Sequence, residues 1–372
     1  MSDYLSEIIG NNKVKGILCN IIKNGSIPHA FLFAGPEGVG KENTALSFCK
    51  EINKSSDPSI NNKIIHSIET FSEPYVKYIL PLPRGKNETD QNDPYEKLSA
   101  DEIELVNAEF QKKSHNLFYK IEIPRANLVK ISSIRDIKKY LSMNYDDINY
   151  RMILISQAHL MNEESQNALL KNLEEPPEGV IFILSTSAPE KLRETIRSRC
   201  WKITFQPLES KLVRKILFEK FNIDKDVADE VAPFSSGSTQ QAIDLIENDF
   251  QELREKTIRI LRYSFARKFN SALLEFEDIV SESDQTKAKL IIRLILFWLN
   301  DFQKIRIESD SAEIFFNKHI ETLEKFYSKF PNVDIANVSQ NIDKISSSFR
   351  SNINLNVAIN NIVSELSRLT IS

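Results

Sequence analysis

The stretch Ala30-Phe-Leu-Phe-Ala-Gly-Pro-Glu-Gly-Val-Gly-Lys41 constrains this chain's fold more than any other part of its sequence. A short run that is apolar on both faces reads as a strand buried inside a sheet. The pattern GxxxxGK directly behind it matches a phosphate loop opening a helix, here Glu42 to Ile52. Phosphates require glycine at such a place, because backbone N–H groups must turn inward and side chains would block the approach at the helix N-terminus. The alternative is a tight glycine turn without a ligand. The chain has only 9 glycines in 372 residues, yet Gly25, Gly35, Gly38 and Gly40 fall close together.

The surrounding rhythm fits a parallel sheet covered by helices. Over roughly the first 205 residues, apolar runs alternate with helical patterns, and Ala30–Ala34, Arg151–Ser156 and Val180–Ser185 read as buried strands. A helix is expected from Glu163 to Glu174, capped by Asn162, with acids in its first turn and Pro176-Pro177 beyond its end. Residues 53–116 are polar, with Pro81, Pro83 and Gly85, and read as an inserted surface segment carrying a helix near Ser99 to Lys113. After Pro207 the strand signals stop. Gly237-Ser238 marks a helix start and Pro331 a break. The expected organisation is an α/β domain over 1–207, a small helical segment over 208–250 and an all-α domain over 251–372.

Charge and composition exclude several classes. Lys and Arg total 48 against 52 for Asp and Glu, a net charge of -4, which argues against a dedicated nucleic-acid coat protein. The longest apolar run, Leu290 to Leu299, is broken by Arg293 and falls short of the ~20 residues that a membrane span needs. The N-terminal stretch lacks the pattern of an export signal, so a cytoplasmic protein is expected. Cys19, Cys49 and Cys200 form no CxxC pair and have no histidine at metal spacing, so free thiols and no zinc are expected. The helix near Lys287 to Lys304 repeats Ile291, Leu294, Ile295, Trp298 and Leu299 at helical spacing and must be buried, within the chain or against another.

The residue after the loop lysine is where the chemistry departs from a working phosphate loop. A hydroxyl belongs there, to coordinate the magnesium that bridges the phosphates; this chain has Glu42. Weak or absent binding of magnesium nucleotide is expected, although an acid in a first helical turn is also simply favoured by the helix dipole. Hydrolysis further needs an acid at the end of a neighbouring strand. The strand Ile153-Leu-Ile ends instead in Ser156 and Gln157, neither of which is a general base. His159 follows, where a packed, hydrogen-bonded histidine is the plain alternative to a catalytic one.

Three further segments carry a family resemblance. Ile27-Pro-His-Ala-Phe-Leu-Phe-Ala-Gly-Pro36, then Ala158-His-Leu-Met161 leading into Asn167-Ala-Leu-Leu-Lys-Asn-Leu-Glu-Glu-Pro-Pro177, then Thr195-Ile-Arg-Ser-Arg-Cys200 closely resemble the bacterial clamp-loader subunits, the AAA+ proteins of DNA polymerase III. The match runs in order through most of residues 8–205. It implies an AAA+ domain followed by a helical lid and a helical collar. In that family the gamma and tau motor subunits carry a complete ATPase site, whereas the delta-prime subunit has lost it.

Glu42, the Ser156-Gln157 pair and Gln240, the last at the lid position where motors place a phosphate-sensing arginine, depart from the motor pattern and favour the delta-prime type. Gly35, Gly38, Gly40 and Lys41, with Thr186 at the polar sensor position, would then be a vestigial nucleotide site with no cofactor. Arg199 matches the arginine that clamp loaders project into a neighbouring subunit's ATP site, a task suited to a permanently charged, forked donor; without the resemblance it would read as a surface cation. The resemblance implies motor and delta subunits as partners, the sliding clamp and primed DNA reached through the complex, and no membrane. The alternative is an active motor-type ATPase. The family's cysteine-rich zinc module is not visible after Cys49.

Overall fold

A computed structural model describes residues 4–143, 148–281, 285–306, 314–330, 333–348 and 354–369. Two compact units emerge, Met1–Ala228 with Ser235–Gln240, and Asp229–Phe234 with Gln241–Ser372. The stretch 208–250 is thus divided between them. Within the first unit, the Leu208 N–H donates to the Gly237 carbonyl and the Thr239 N–H to the Gly38 carbonyl, tying 235–240 to that unit.

The first unit is built on a wholly parallel sheet of β1 (Ala30–Ala34), β2 (Val76–Ile79), β3 (Arg151–Ile155), β4 (Val180–Thr186) and β5 (Trp201–Thr204), in the order β2-β3-β4-β1-β5. Every residue of β1, β3 and β4 is buried, as expected of strands apolar on both faces. The two-residue period of a strand sends Phe31, Phe33, Leu154, Ile183 and Ile203 into one hydrophobic cluster. Leu32, Ile153, Ile155, Phe182 and Leu184 enter the other. The helix Glu163–Glu174 forms where expected, with the Asn162 side chain accepting from the Ser165 N–H.

Residues 53–116 are more than an inserted surface segment. They hold helix Pro58–Glu69, the edge strand β2 and helix Ala100–His115, and they bury Ile64, Ile68, Val76, Tyr78 and Val106 in the main core. Strand β2 is illegible in sequence because it is short and places Lys77 at mid-strand, where the ammonium pairs with Glu73 and Asp136. Pro74 before it and Pro81, Pro83 and Gly85 after it are turn signals that hide the strand's continuation of the sheet. β5 is equally quiet, since only Ile203 of its residues is buried.

The second unit is helical. Helix Gln285–Arg306 buries Ile291, Leu294, Ile295, Trp298 and Leu299 within the chain. Trp298 packs against Phe265, Phe302 and Phe326. Pro331 lies outside the described residues. Among those described, no helix is long and apolar enough to cross a membrane. Cys49 and Cys200 are buried free thiols, both pushed up to about 12 by burial, and Cys19 is half-buried.

Candidate functional site

The loop between β1 and helix Lys41–Ile52 lies at the carboxyl end of the sheet, the end where ligands bind in open α/β folds. Gly38 and Gly40 adopt φ values of 69° and 85°, which favour glycine. At Gly38 a second constraint applies: a Cβ there would come within 2.6 Å of the Gln240 backbone nitrogen and also strike the Ser238 hydroxyl. The Gly38 carbonyl accepts from the Thr239 N–H at 3.0 Å and from its hydroxyl at 2.7 Å. Gly38→Ala is therefore expected to lower stability by roughly 2 kcal/mol, from the left-handed backbone and the forced separation of loop from Thr239, as read by thermal or urea denaturation.

Lys41 does not extend into open space. Its ammonium folds back onto the Gly35 carbonyl at 2.8 Å and also donates to the Pro36 carbonyl. Burial lowers its pKa to about 8, opposed by the neighbouring Glu42 and Glu37 carboxylates.

Glu42 is the centre of a closed polar cluster. Its carboxylate accepts from the Ser156 hydroxyl at 2.5 Å and the Tyr78 hydroxyl at 2.7 Å, and pairs with the Lys113 ammonium at 3.0 Å. Burial alone would raise its pKa, but the Lys113 charge and these hydrogen bonds hold it down to about 2. Lys113, only 3% exposed at its side chain, also donates to the Tyr119 carbonyl at 2.6 Å. It comes from helix Ala100–His115. Sequence reasoning missed this residue, because a lysine in a Lys112-Lys113 pair gives no sign of pointing inward.

The two strand-end residues and the loop thus meet directly. Gly38, Gly40, Lys41, Glu42, Ser156, Gln157, His159, Thr186 and Gln240 line one cavity of about 80 Å³, well below the ~300–1,000 Å³ common for small-molecule sites. Leu117, Phe118, Tyr119 and Lys120 line the same cavity, and Lys120 pairs with Glu37 at 3.1 Å. The Thr186 hydroxyl lies 3.1 Å from His159 Nδ1 and accepts from the Ala188 N–H, so both side chains are engaged locally.

Arg199 is not part of that cavity. It precedes β5, whose first residue Trp201 is in register with Phe31 and whose last, Thr204, is in register with Ala34, the residue before the loop. Arg199 therefore sits at the amino end of the sheet, opposite the chain's own loop. One guanidinium nitrogen donates to the Thr195 carbonyl at 2.8 Å and another pairs with Glu174 at 2.8 Å, leaving the side chain 35% exposed. The two most distinctive segments of the sequence, around Glu174-Glu175 and Ser198-Arg199-Cys200, touch through this ion pair.

A family described as DNA polymerase III, delta subunit, matches residues 10–209, more than half of the 372 residues. The chain belongs to this AAA+ clamp-loader family. It is 26% identical to the DNA polymerase III subunit tau of Bacillus subtilis over 246 residues, 65% of this chain and 37% of that one, so it spans little more than a third of that relative. It is 24% identical to the delta' subunit of the same organism over 314 residues, 82% of this chain and 80% of that one. A solved DNA polymerase III gamma-subunit-related protein of Thermotoga maritima aligns over 96% of this chain and 99% of its own at 15% identity and a TM-score of 0.39. Identity to tau and to delta' is nearly equal, so the subunit type has to be argued from the site.

Proposed function

We propose that this chain is a non-hydrolysing, delta-prime-type subunit of the replicative clamp loader, which presents Arg199 to the ATP site of an adjacent motor subunit. The observation that carries this reading is the Glu42 cluster. Where a motor needs a hydroxyl for magnesium and an acid on the neighbouring strand, Glu42 and Ser156 bond to each other, and Lys113 supplies the cation. A magnesium ion would have to displace an ammonium already neutralising that carboxylate. The residues present therefore do not fit magnesium nucleotide.

The position of Arg199 supports the other half of the proposal. Lying opposite the chain's own loop, it is poorly placed to serve that loop and available to another molecule. To reach a neighbour's phosphates it would exchange Glu174 for phosphate oxygens, keeping a forked, charged contact throughout.

In this reading residues 208–250 act as the lid and 251–372 as the collar of a hetero-oligomer with gamma or tau motors and delta, working in the cytoplasm on the sliding clamp at primed DNA during replication. A motor-type ATPase is the second reading, favoured by the retained Gly35, Gly38, Gly40 and Lys41 and the match to tau. Purified chain supplied with magnesium and ATP separates the two. Background phosphate release and no retained nucleotide are expected; steady turnover that a Lys41→Ala change abolishes would instead make it a motor.

A further inference from the structure

The helical unit holds a cavity that the clamp-loader reading leaves unused. It measures about 390 Å³ and lies between helices Phe250–Phe265 and Ile320–Lys329, with Trp298 contributed by helix Gln285–Arg306. That volume is within the range common for ligand sites. The wall is aromatic, lined by Phe265, Trp298, Phe326 and Phe330. These rings hold one another in place: Phe265 stacks on Phe326 with centroids 4.0 Å apart, and Trp298 meets Phe326 edge-on at 5.4 Å. Three cations, Arg262, Lys325 and Lys329, line the same cavity, and among the described residues no carboxylate does. Thr322, Lys325, Phe326 and Lys329 recur at helical spacing and so share one stripe of their helix, which brings ring and charges to the cavity together. The Arg262 guanidinium donates to the Thr322 hydroxyl at 3.0 Å and so joins that stripe. Lys325 lies 3.4 Å from Glu321, but the two side chains are 80% and 83% exposed, so water screens the pair and leaves the ammonium exchangeable. Lys329 stands over the Phe330 ring at 5.4 Å and has no carboxylate partner among the described residues.

We propose that this cavity takes a short acidic segment of a partner protein, with one aromatic side chain seated among the rings and flanking carboxylates paired with Lys325, Lys329 and Arg262. Charge complementarity selects the occupant. A purely apolar partner would desolvate three cations without compensating them. Carboxylates on either side of an apolar side chain do compensate them, and the forked guanidinium of Arg262 suits a carboxylate. A nucleic-acid strand also brings negative charge, but it binds by stacking bases on open ring faces. Here Trp298 is 0% and Phe326 7% exposed, and Phe265 is already stacked on Phe326. A single side chain entering end-on fits such a wall better than a run of stacked bases does. Neither Arg199 nor the phosphate loop enters this proposal.

The test is fluorescence anisotropy of a fluorescein-labelled peptide, Gly-Asp-Glu-Phe-Glu-Asp-Gly, titrated with the full chain. Saturable binding with a Kd below about 100 μM is expected, weakening as salt rises. Replacing the peptide's phenylalanine by serine should weaken it about tenfold or more. Lys325→Glu combined with Lys329→Glu should do the same. Both lysines are exposed, so that variant should keep the parent's melting curve. Lys325→Gln with Lys329→Gln, which removes the charges without reversing them, should lose an intermediate amount. No saturable binding below about 1 mM, or binding indifferent to both double variants, overturns the site. An oligo-dT strand that binds more tightly than the peptide and weakens in the same variants overturns the peptide as its occupant.

Discussion

On the proposed finger role, Arg199→Ala is expected to slow hydrolysis at the motor site that Arg199 would enter by ~10³-fold or more, the range by which arginine fingers accelerate phosphoryl transfer. The chain's own fold should not notice. Arg199 is 35% exposed, and its partners Thr195 and Glu174 stay solvated when it is removed, so the loss in stability should remain within about 1 kcal/mol, as for other surface ion pairs. Loader ATP turnover therefore falls by the share that this site contributes, while denaturation of the free subunit is unchanged. Arg199→Lys keeps the charge but not the fork and should recover little. Glu174→Gln makes a complementary probe: it frees the guanidinium from its resting partner, and should leave hydrolysis equal or faster. Measured by single-turnover hydrolysis in a loader rebuilt with motor and delta subunits, intact rates with Arg199→Ala would remove this chain from catalysis altogether.

The fold and the site were not equally legible. Strands β1, β3 and β4 declare themselves because they are buried on both sides and so spell continuous apolar runs. Helix Glu163–Glu174 shows its cap and its stop in the sequence. β5 stays hidden because a sheet-edge strand needs only part of its surface buried, and Trp201 and Lys202 break its pattern; β2 is almost wholly buried but is four residues long and interrupted by Lys77.

At the site, the glycines, Lys41, Glu42 and the strand-end pair could be named in advance, since a loop directly after a strand fixes their place. Gly38, Gly40, Lys41, Glu42, Ser156, Gln157, Thr186 and Gln240 do meet around one cavity. Lys113 could not be named. A long-range ion pair across 71 positions of chain leaves no periodic trace, and a buried lysine looks the same in sequence as an exposed one. The segment 53–116 read as surface decoration for that reason, although it supplies the residue that neutralises Glu42.

Lys113→Met should be the most destabilising single change at the site, and its pH dependence should reverse the native one. In the intact chain the folded pKa of Glu42, about 2, lies below its ordinary 4.5. That depression contributes stability present above pH 4.5 and lost as the pH falls from there towards 2. Removing Lys113 leaves a carboxylate only 19% exposed with the Ser156 and Tyr78 hydroxyls alone; a fully buried pair broken in this way costs about 3–5 kcal/mol, and a partly exposed one is expected at the lower end of that range at neutral pH. With its cation gone, burial dominates and the pKa rises, so the variant should regain part of its loss on acidification, where the parent weakens. Glu42→Gln in the same chain removes the unpaired charge, and the double variant should be several-fold closer to the parent than additivity allows, by urea denaturation at pH 7. Strict additivity would mean that Lys113 and Glu42 do not act as a pair, and would withdraw the reason for reading this loop as closed to magnesium.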